Sequence, residues 1–136
     1  MTTLPKTAST PVLRTDFSDE KAWESLLAAI ATPNEDEFMA YVDFVEDPAH
    51  RDLTPEQILA LVPEQFEHAI LIVADRVALA SPEMPLLVID LWEERGRGLR
   101  VVVEELWSIE NNLSISNMDF VEFADAAGED GVFRGF

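Results

Sequence analysis

The chain contains no cysteine. That excludes a disulfide framework, a thiolate metal site and a cysteine nucleophile, and it fits a cytoplasmic protein. Glycine is nearly as scarce, and the first of five is Gly96. A phosphate-cradling loop needs glycine between an early strand and its helix, so that backbone amides can approach the anion. Neither G-x-G-x-x-G nor G-x-x-x-x-G-K-[ST] occurs, and G-x-S-x-G is also missing. Rossmann, P-loop and nucleophile-elbow chemistry therefore have no support. Lysine is confined to Lys6 and Lys21, and histidine to His50 and His68. The two histidines lack H-x-x-x-H spacing, so a zinc site would need carboxylates to complete it. They read as surface or capping residues. No run approaches the roughly 20 apolar residues that cross a bilayer, and Met1–Pro11 lacks an apolar signal-peptide core.

What is present is acid. The 136 residues carry 27 acidic and 9 basic side chains, a net charge of −18. Such a field repels nucleic acid and anionic membranes and attracts basic proteins or divalent cations. It equally serves solubility alone. The acid is unevenly placed. Residues 34–68 hold ten acids (Glu35, Asp36, Glu37, Asp43, Glu46, Asp47, Asp52, Glu56, Glu64, Glu67) against Arg51 alone, a local balance of −9. The main basic exception is Arg95, Arg97 and Arg100, close together around two glycines.

Hydrophobic residues make up 48% of the chain, enough for one core in a domain of this length. Residues 1–10 lack periodicity and read as a flexible tail, leaving a single domain over 11–136. Val12–Asp16 reads as a strand, and Ser18 as the N-cap of a helix with Trp23, Leu26, Leu27 and Ile30 on one face. Thr32-Pro33-Asn34 ends that helix. Phe38–Val45 reads as a second strand. Thr54-Pro55-Glu56-Gln57 is the clearest local signal, a capping box with proline in the first turn. Ala69–Val73 and Leu86–Leu91 are continuous apolar runs, as expected of strands covered on both faces. The stretch between them is short for a parallel crossover. Gly96 and Gly98 mark a hairpin into Leu99–Val103. Trp107–Ser116 shows no clear periodicity and reads as a loop. Ser116 or Asn117 then caps a C-terminal helix carrying Phe120 and Phe123, with Gly128 as its C-cap. The expected fold is α/β: a mixed, mostly parallel sheet of about five strands, with Val12–Thr15, Ala69–Val73 and Leu86–Asp90 central and helices packed on it.

Three sets of residues stand out as candidate sites. Asp16, Asp47 and Asp75 fall at strand carboxyl ends, where open α/β sheets bind ligands. Together they would hold Mg²⁺ through oxygen, the basis of an alternative reading as a Mg-dependent enzyme. Each acid equally well caps a turn. Trp107, Glu110, Asn111, Asn112, Asn117 and Asp119 form a polar loop set, since side chains on a loop held by a scaffold often carry function. Asp43, Glu46, Asp47 and Asp52, with Tyr41 or Phe44 as aromatic anchor, form an acidic face. That face suits a basic protein, or self-association through Arg95, Arg97 and Arg100 of another copy. The leading expectation is thus a cytoplasmic, non-enzymatic interaction module without a cofactor.

The segments Leu13-Arg14-Thr15-Asp16-Phe17-Ser18, Trp107–Ser114, Asn117–Phe120 and Asp130–Phe136 resemble a family of small acidic bacterial α/β domains of unknown function, over about residues 11–136. The resemblance implies a stand-alone cytoplasmic domain. It carries no activity, cofactor or site residue.

Overall fold

The computed structural model describes residues 3–136. Six strands, β1 (Thr10–Arg14), β2 (Val42–Val45), β3 (Ile70–Ala74), β4 (Pro85–Asp90), β5 (Gly98–Val102) and β6 (Val132–Phe133), form one sheet in the order β2-β1-β3-β4-β5-β6. β1 runs parallel to both β2 and β3; β3–β4 and β4–β5 are antiparallel; β5–β6 is parallel. The sheet is mixed, as expected, with two antiparallel pairs among five. The three strands expected at its centre, β1, β3 and β4, lie there. The count is six because Val132–Phe133 at the apolar C-terminus adds an edge strand beside β5.

The described residues also form five α-helices: α1 (Glu20–Ala31), α2 (Pro55–Ala60), α3 (Arg76–Ala80), α4 (Leu106–Ser114) and α5 (Phe120–Asp125). Alternation along the buried strands divides the core. Ile70, Ile72 and Ala74 of β3 join Leu86 and Val88 of β4 on one face, against Trp23, Leu26 and Ile30 of α1, Ile109 of α4 and Phe120 and Phe123 of α5. Leu71, Val73 and Ile89 point the other way, onto Ile58, Leu61, Val62 and Leu4. This two-sided burial explains the unbroken apolar runs. The short β3–β4 connection forms α3 and returns the chain antiparallel, because so few residues cannot complete a parallel crossover.

Several expectations need correction. The segment expected as a flexible tail is anchored to the body at Leu4. Leu4 is buried and its N–H donates to Leu61 O at 2.8 Å; Met1 and Thr2 lie outside the described residues. Asp19, not Ser18, caps α1 by accepting from Ala22 N–H. The second strand is shorter than Phe38–Val45, starting at Val42. Trp107–Ser116 is no loop: α4 covers it to Ser114. Its period was hidden because Ser108 and Glu110 are buried alongside Leu106, Ile109 and Leu113, so polar residues occupy inward positions. Asp119 caps α5, closing a capping box with Glu122, and α5 stops short of Gly128. The capping box of α2 is present as expected, with Gln57 N–H donating to Thr54 Oγ1 and Thr54 N–H to Gln57 Oε1.

Candidate functional site

The carboxyl ends of β1 and β3 meet at the point where the chain, having placed β2 on one side of β1, crosses to the other. In open α/β sheets such a switch point opens a ligand crevice. Here it is filled by the chain's own charges. Arg14, ending β1, is 1% exposed. Its Nη1 donates to Glu46 at 2.7 Å and Glu20 at 3.1 Å, its Nη2 to Glu20 at 3.1 Å, and its Nε to Asp16 O at 2.9 Å. The guanidinium also lies 4.4 Å from the Phe17 ring centroid and 4.9 Å from that of Trp23. Burial alone would lower the Arg14 pKa. The hydrogen bonds and charges of Glu20 and Glu46 outweigh it and leave Arg14 firmly protonated. Those same bonds hold Glu20 below the usual carboxylate range.

The three strand-end aspartates do not share a ligand in this arrangement. Asp16 Oδ1 accepts from Ser18 N–H at 3.1 Å and from the Ser18 hydroxyl at 2.7 Å. Asp47 accepts from Ala49 N–H and caps the 3-10 turn Pro48–His50. Asp75 caps α3 and takes a two-pronged bond from Arg100, at 2.8 and 2.7 Å. Among the described residues no group of three or more histidines and carboxylates is arranged to hold a metal ion. His50, expected as a surface or capping residue, is buried in the last turn of Pro48–His50, and His68 donates or accepts at Thr7.

The expected acidic face is partly consumed by the fold. Asp43 accepts from Ser9 N–H at 2.8 Å, Glu46 pairs with Arg14, and Asp47 is a cap. Asp52 is exposed, its backbone in the left-handed region (φ 57°) with its N–H on Thr15 O. Tyr41 is 65% exposed and Phe44 partly so, with Phe44 edge-on to Trp23. Two of the three arginines expected to serve self-association are engaged within the chain: Arg100 with Asp75, and Arg97 with Glu94 at 3.3 Å.

A different region offers open space. A cleft of about 980 Å³ lies between the C-terminal half of α1 (Ser25, Ala28, Ala29, Ile30), residues 32–40 and the turn 103–107. About half of its wall is apolar, with Ile30, Pro33, Met39, Val103 and Leu106. Phe38 and Trp107, both in its lining, stack on each other, ring centroids 4.8 Å apart and 11° from parallel. Four carboxylates line it, Glu35, Asp36, Glu104 and Glu105, and no cation does. Among the described residues none of these four side chains makes a hydrogen bond or ion pair. Burial, and then the neighbouring Glu104 charge, push the Glu105 carboxyl above its ordinary value.

One wall of the cleft is tied to α4 by a buried clamp. Glu110, 4% exposed on α4, accepts from Tyr41 N–H (2.7 Å), the Ser114 hydroxyl (2.6 Å), the Asn111 amide (3.1 Å) and the Thr10 hydroxyl (3.2 Å). Four donors replace the water that an isolated carboxylate would lose on burial. Asn111 also donates to Met39 O. Residues 39–41 are thereby fixed to α4, and Asn34 Oδ1 shapes the preceding turn by accepting from Asp36 and Phe38 N–H. Of the polar set expected on a loop, then, Trp107 lines the cleft and Glu110 and Asn111 position its wall. Asn112 bonds back to Ser108 O, Asn117 bonds Asn112, and Asp119 caps α5, all structural tasks. Phe38, Glu104 and Glu105 were not singled out from the sequence. The signal available was a repeated pattern, an acidic run just ahead of an aromatic: Glu35-Asp36-Glu37-Phe38 and Glu104-Glu105 before Trp107.

The chain matches no curated protein and no solved structure at a significant level. A family model does match, over residues 9–136. The chain therefore belongs to the family described as a domain of unknown function, DUF6924.

Proposed function

We propose that this domain is a non-enzymatic interaction module that presents acid to a basic protein partner in the cytoplasm. The reading requires no cofactor. The observation that supports it is the division of labour among the acids. The strand-end carboxylates are satisfied by the fold's own donors, whereas Glu35, Asp36, Glu104 and Glu105 surround an open, half-apolar cleft with no cation in its lining. Like charges left together without counter-charge cost folding energy, and a basic guest offsets that cost on binding. Complementary charge also speeds encounter and selects partners.

The test is capture from a lysate of the native host, with the domain immobilised and the salt raised from 50 to 500 mM. Exposed charges are screened over about 10 Å at 0.1 M salt and about 3 Å at 1 M. A basic protein retained at low salt and released steeply with rising salt is the expected result. Retention that is indifferent to salt, or of acidic proteins, contradicts the reading.

A further inference from the structure

The cleft has chemistry specific enough to name its guest more closely, on the premise that the domain is an acidic interaction module. We propose that the cleft between α1, residues 32–40 and the turn 103–107 is the docking groove for an extended, arginine-bearing peptide segment of the partner. Its arginines meet the four carboxylates, and its apolar side chains cover the wall between them.

The first argument is charge complementarity. Glu35 and Asp36 stand on one side and Glu104 and Glu105 on the other, with no lysine, arginine or histidine in the lining. The raised Glu105 carboxyl marks a charge held partly out of water beside a like charge. The second argument is the aromatic pair. Stacking uses one face of each ring, and Phe38 remains 48% exposed. Guanidinium groups lie flat on aromatic faces and bond carboxylates in a planar fork, whereas an ammonium does neither as well. The third is the apolar wall. Ala28 and Ala29 of α1 are small, which gives the cleft its depth, and Ile30, Pro33, Met39, Val103 and Leu106 offer contact that only a guest with apolar parts would use. A linear polyamine would neutralise the acids and leave that wall wet. A metal ion would need convergent oxygen ligands, and the four acids do not form such a group. The volume, about 980 Å³, is at the upper end of small-ligand sites, which run to roughly 1,000 Å³, so it suits a few residues of peptide.

The experiment uses the full chain and a fluorescein-labelled decapeptide of alternating arginine and leucine, read by fluorescence anisotropy. Controls are the same peptide with lysine, the same with serine in place of leucine, and spermine as competitor. Two groove variants keep the fold's hydrogen bonds: Trp107→Ala removes half the aromatic pair, and Ala28→Phe fills the groove while keeping every acid. Each is checked by its thermal transition. The expected result is saturable binding, weakened about tenfold or more by either variant, as for a central anchor residue, and by the serine peptide. The lysine peptide binds more weakly than the arginine one. Peptide binding that survives both variants but is lost in Glu35→Lys/Asp36→Lys/Glu37→Lys overturns the groove and leaves the acidic module standing. Spermine binding as tightly as the peptide overturns the peptide as guest. No peptide binding at all, with salt-sensitive capture of a basic partner intact, likewise sinks the groove alone. Loss of both sinks the interaction reading with it.

Discussion

The carboxylates at the strand ends and those around the cleft are the same chemical groups in one strongly acidic chain, yet the fold treats them oppositely. At the end of β1, Glu20 and Glu46 hold a buried guanidinium, and Asp16 and Asp75 accept backbone, hydroxyl or arginine donors. Around the cleft, the side chains of Glu35, Asp36, Glu104 and Glu105 accept no hydrogen bond and form no ion pair among the described residues. The first set has become architecture. The second is surplus to stability, and surplus charge gathered at an open concavity is what a binding surface requires. An acid at a strand end is therefore no sign of chemistry until its donors have been counted.

The contrast is broken most severely at Arg14. Replacing it by Ala removes the cation from a buried cluster and leaves a cavity beside Trp23, so Arg14→Ala costs about 3 kcal/mol, toward the lower end for a broken buried pair because Glu20 and Glu46 can still reach water. A fall in the urea midpoint at unchanged slope measures it. Arg14→Lys recovers only part, since an ammonium cannot fork to Glu20 while reaching Glu46 and Phe17. Next comes Asp75. Asp75→Ala deletes both the α3 cap and the two-pronged Arg100 bond, a loss of about 2 kcal/mol from a cap plus a charge-assisted pair. Asp75→Asn retains the cap and loses less.

The cleft acids behave differently. Neutralising Glu35, Asp36 and Glu104 together leaves the unfolding free energy within about 0.5 kcal/mol of wild type or raises it, as for exposed surface groups. A clear destabilisation there would erase the distinction between the two regions. The smallest effect is at Glu105, and its sign is fixed by linkage. A carboxyl raised in the folded state penalises the charged form. The penalty is complete above the folded pKa and vanishes below the unfolded one. Glu105→Gln therefore raises the thermal transition slightly at neutral pH, and the gain fades as pH falls through the carboxylate range.

How much of this was legible in the sequence follows from where each signal resides. The buried strands announced themselves, because AILIV and LLVIDL are apolar without interruption only when both faces are covered. The α2 capping box was equally plain, being a bond between residues three apart. Helix α4 was hidden by Glu110, whose burial depends on Tyr41 and Thr10, far away in sequence. The strand-end aspartates lie beside their strands, and the turns that Asp16 and Asp47 make with Ser18 and Ala49 are local, two residues on, whereas the pairing of Asp75 with Arg100 is tertiary information. The cleft was invisible for the same reason. Phe38 and Trp107 lie in different parts of the chain, and only their stacking, with Asn111 tied to Met39, makes one wall of them.

If the position of the cleft acids matters beyond the net charge, two variants that remove equal charge must behave differently. One carries Glu35→Gln, Asp36→Asn and Glu104→Gln at the cleft. The other carries Glu56→Gln, Glu64→Gln and Glu67→Gln, exposed acids of α2 and the loop after it, which pack on the opposite face of the sheet. Capture of basic protein from host lysate at 50 mM salt is then compared. Near-complete loss is expected with the first variant and near wild-type capture with the second. Equal loss with both would mean that charge alone attracts the partner, and would contradict a role for position.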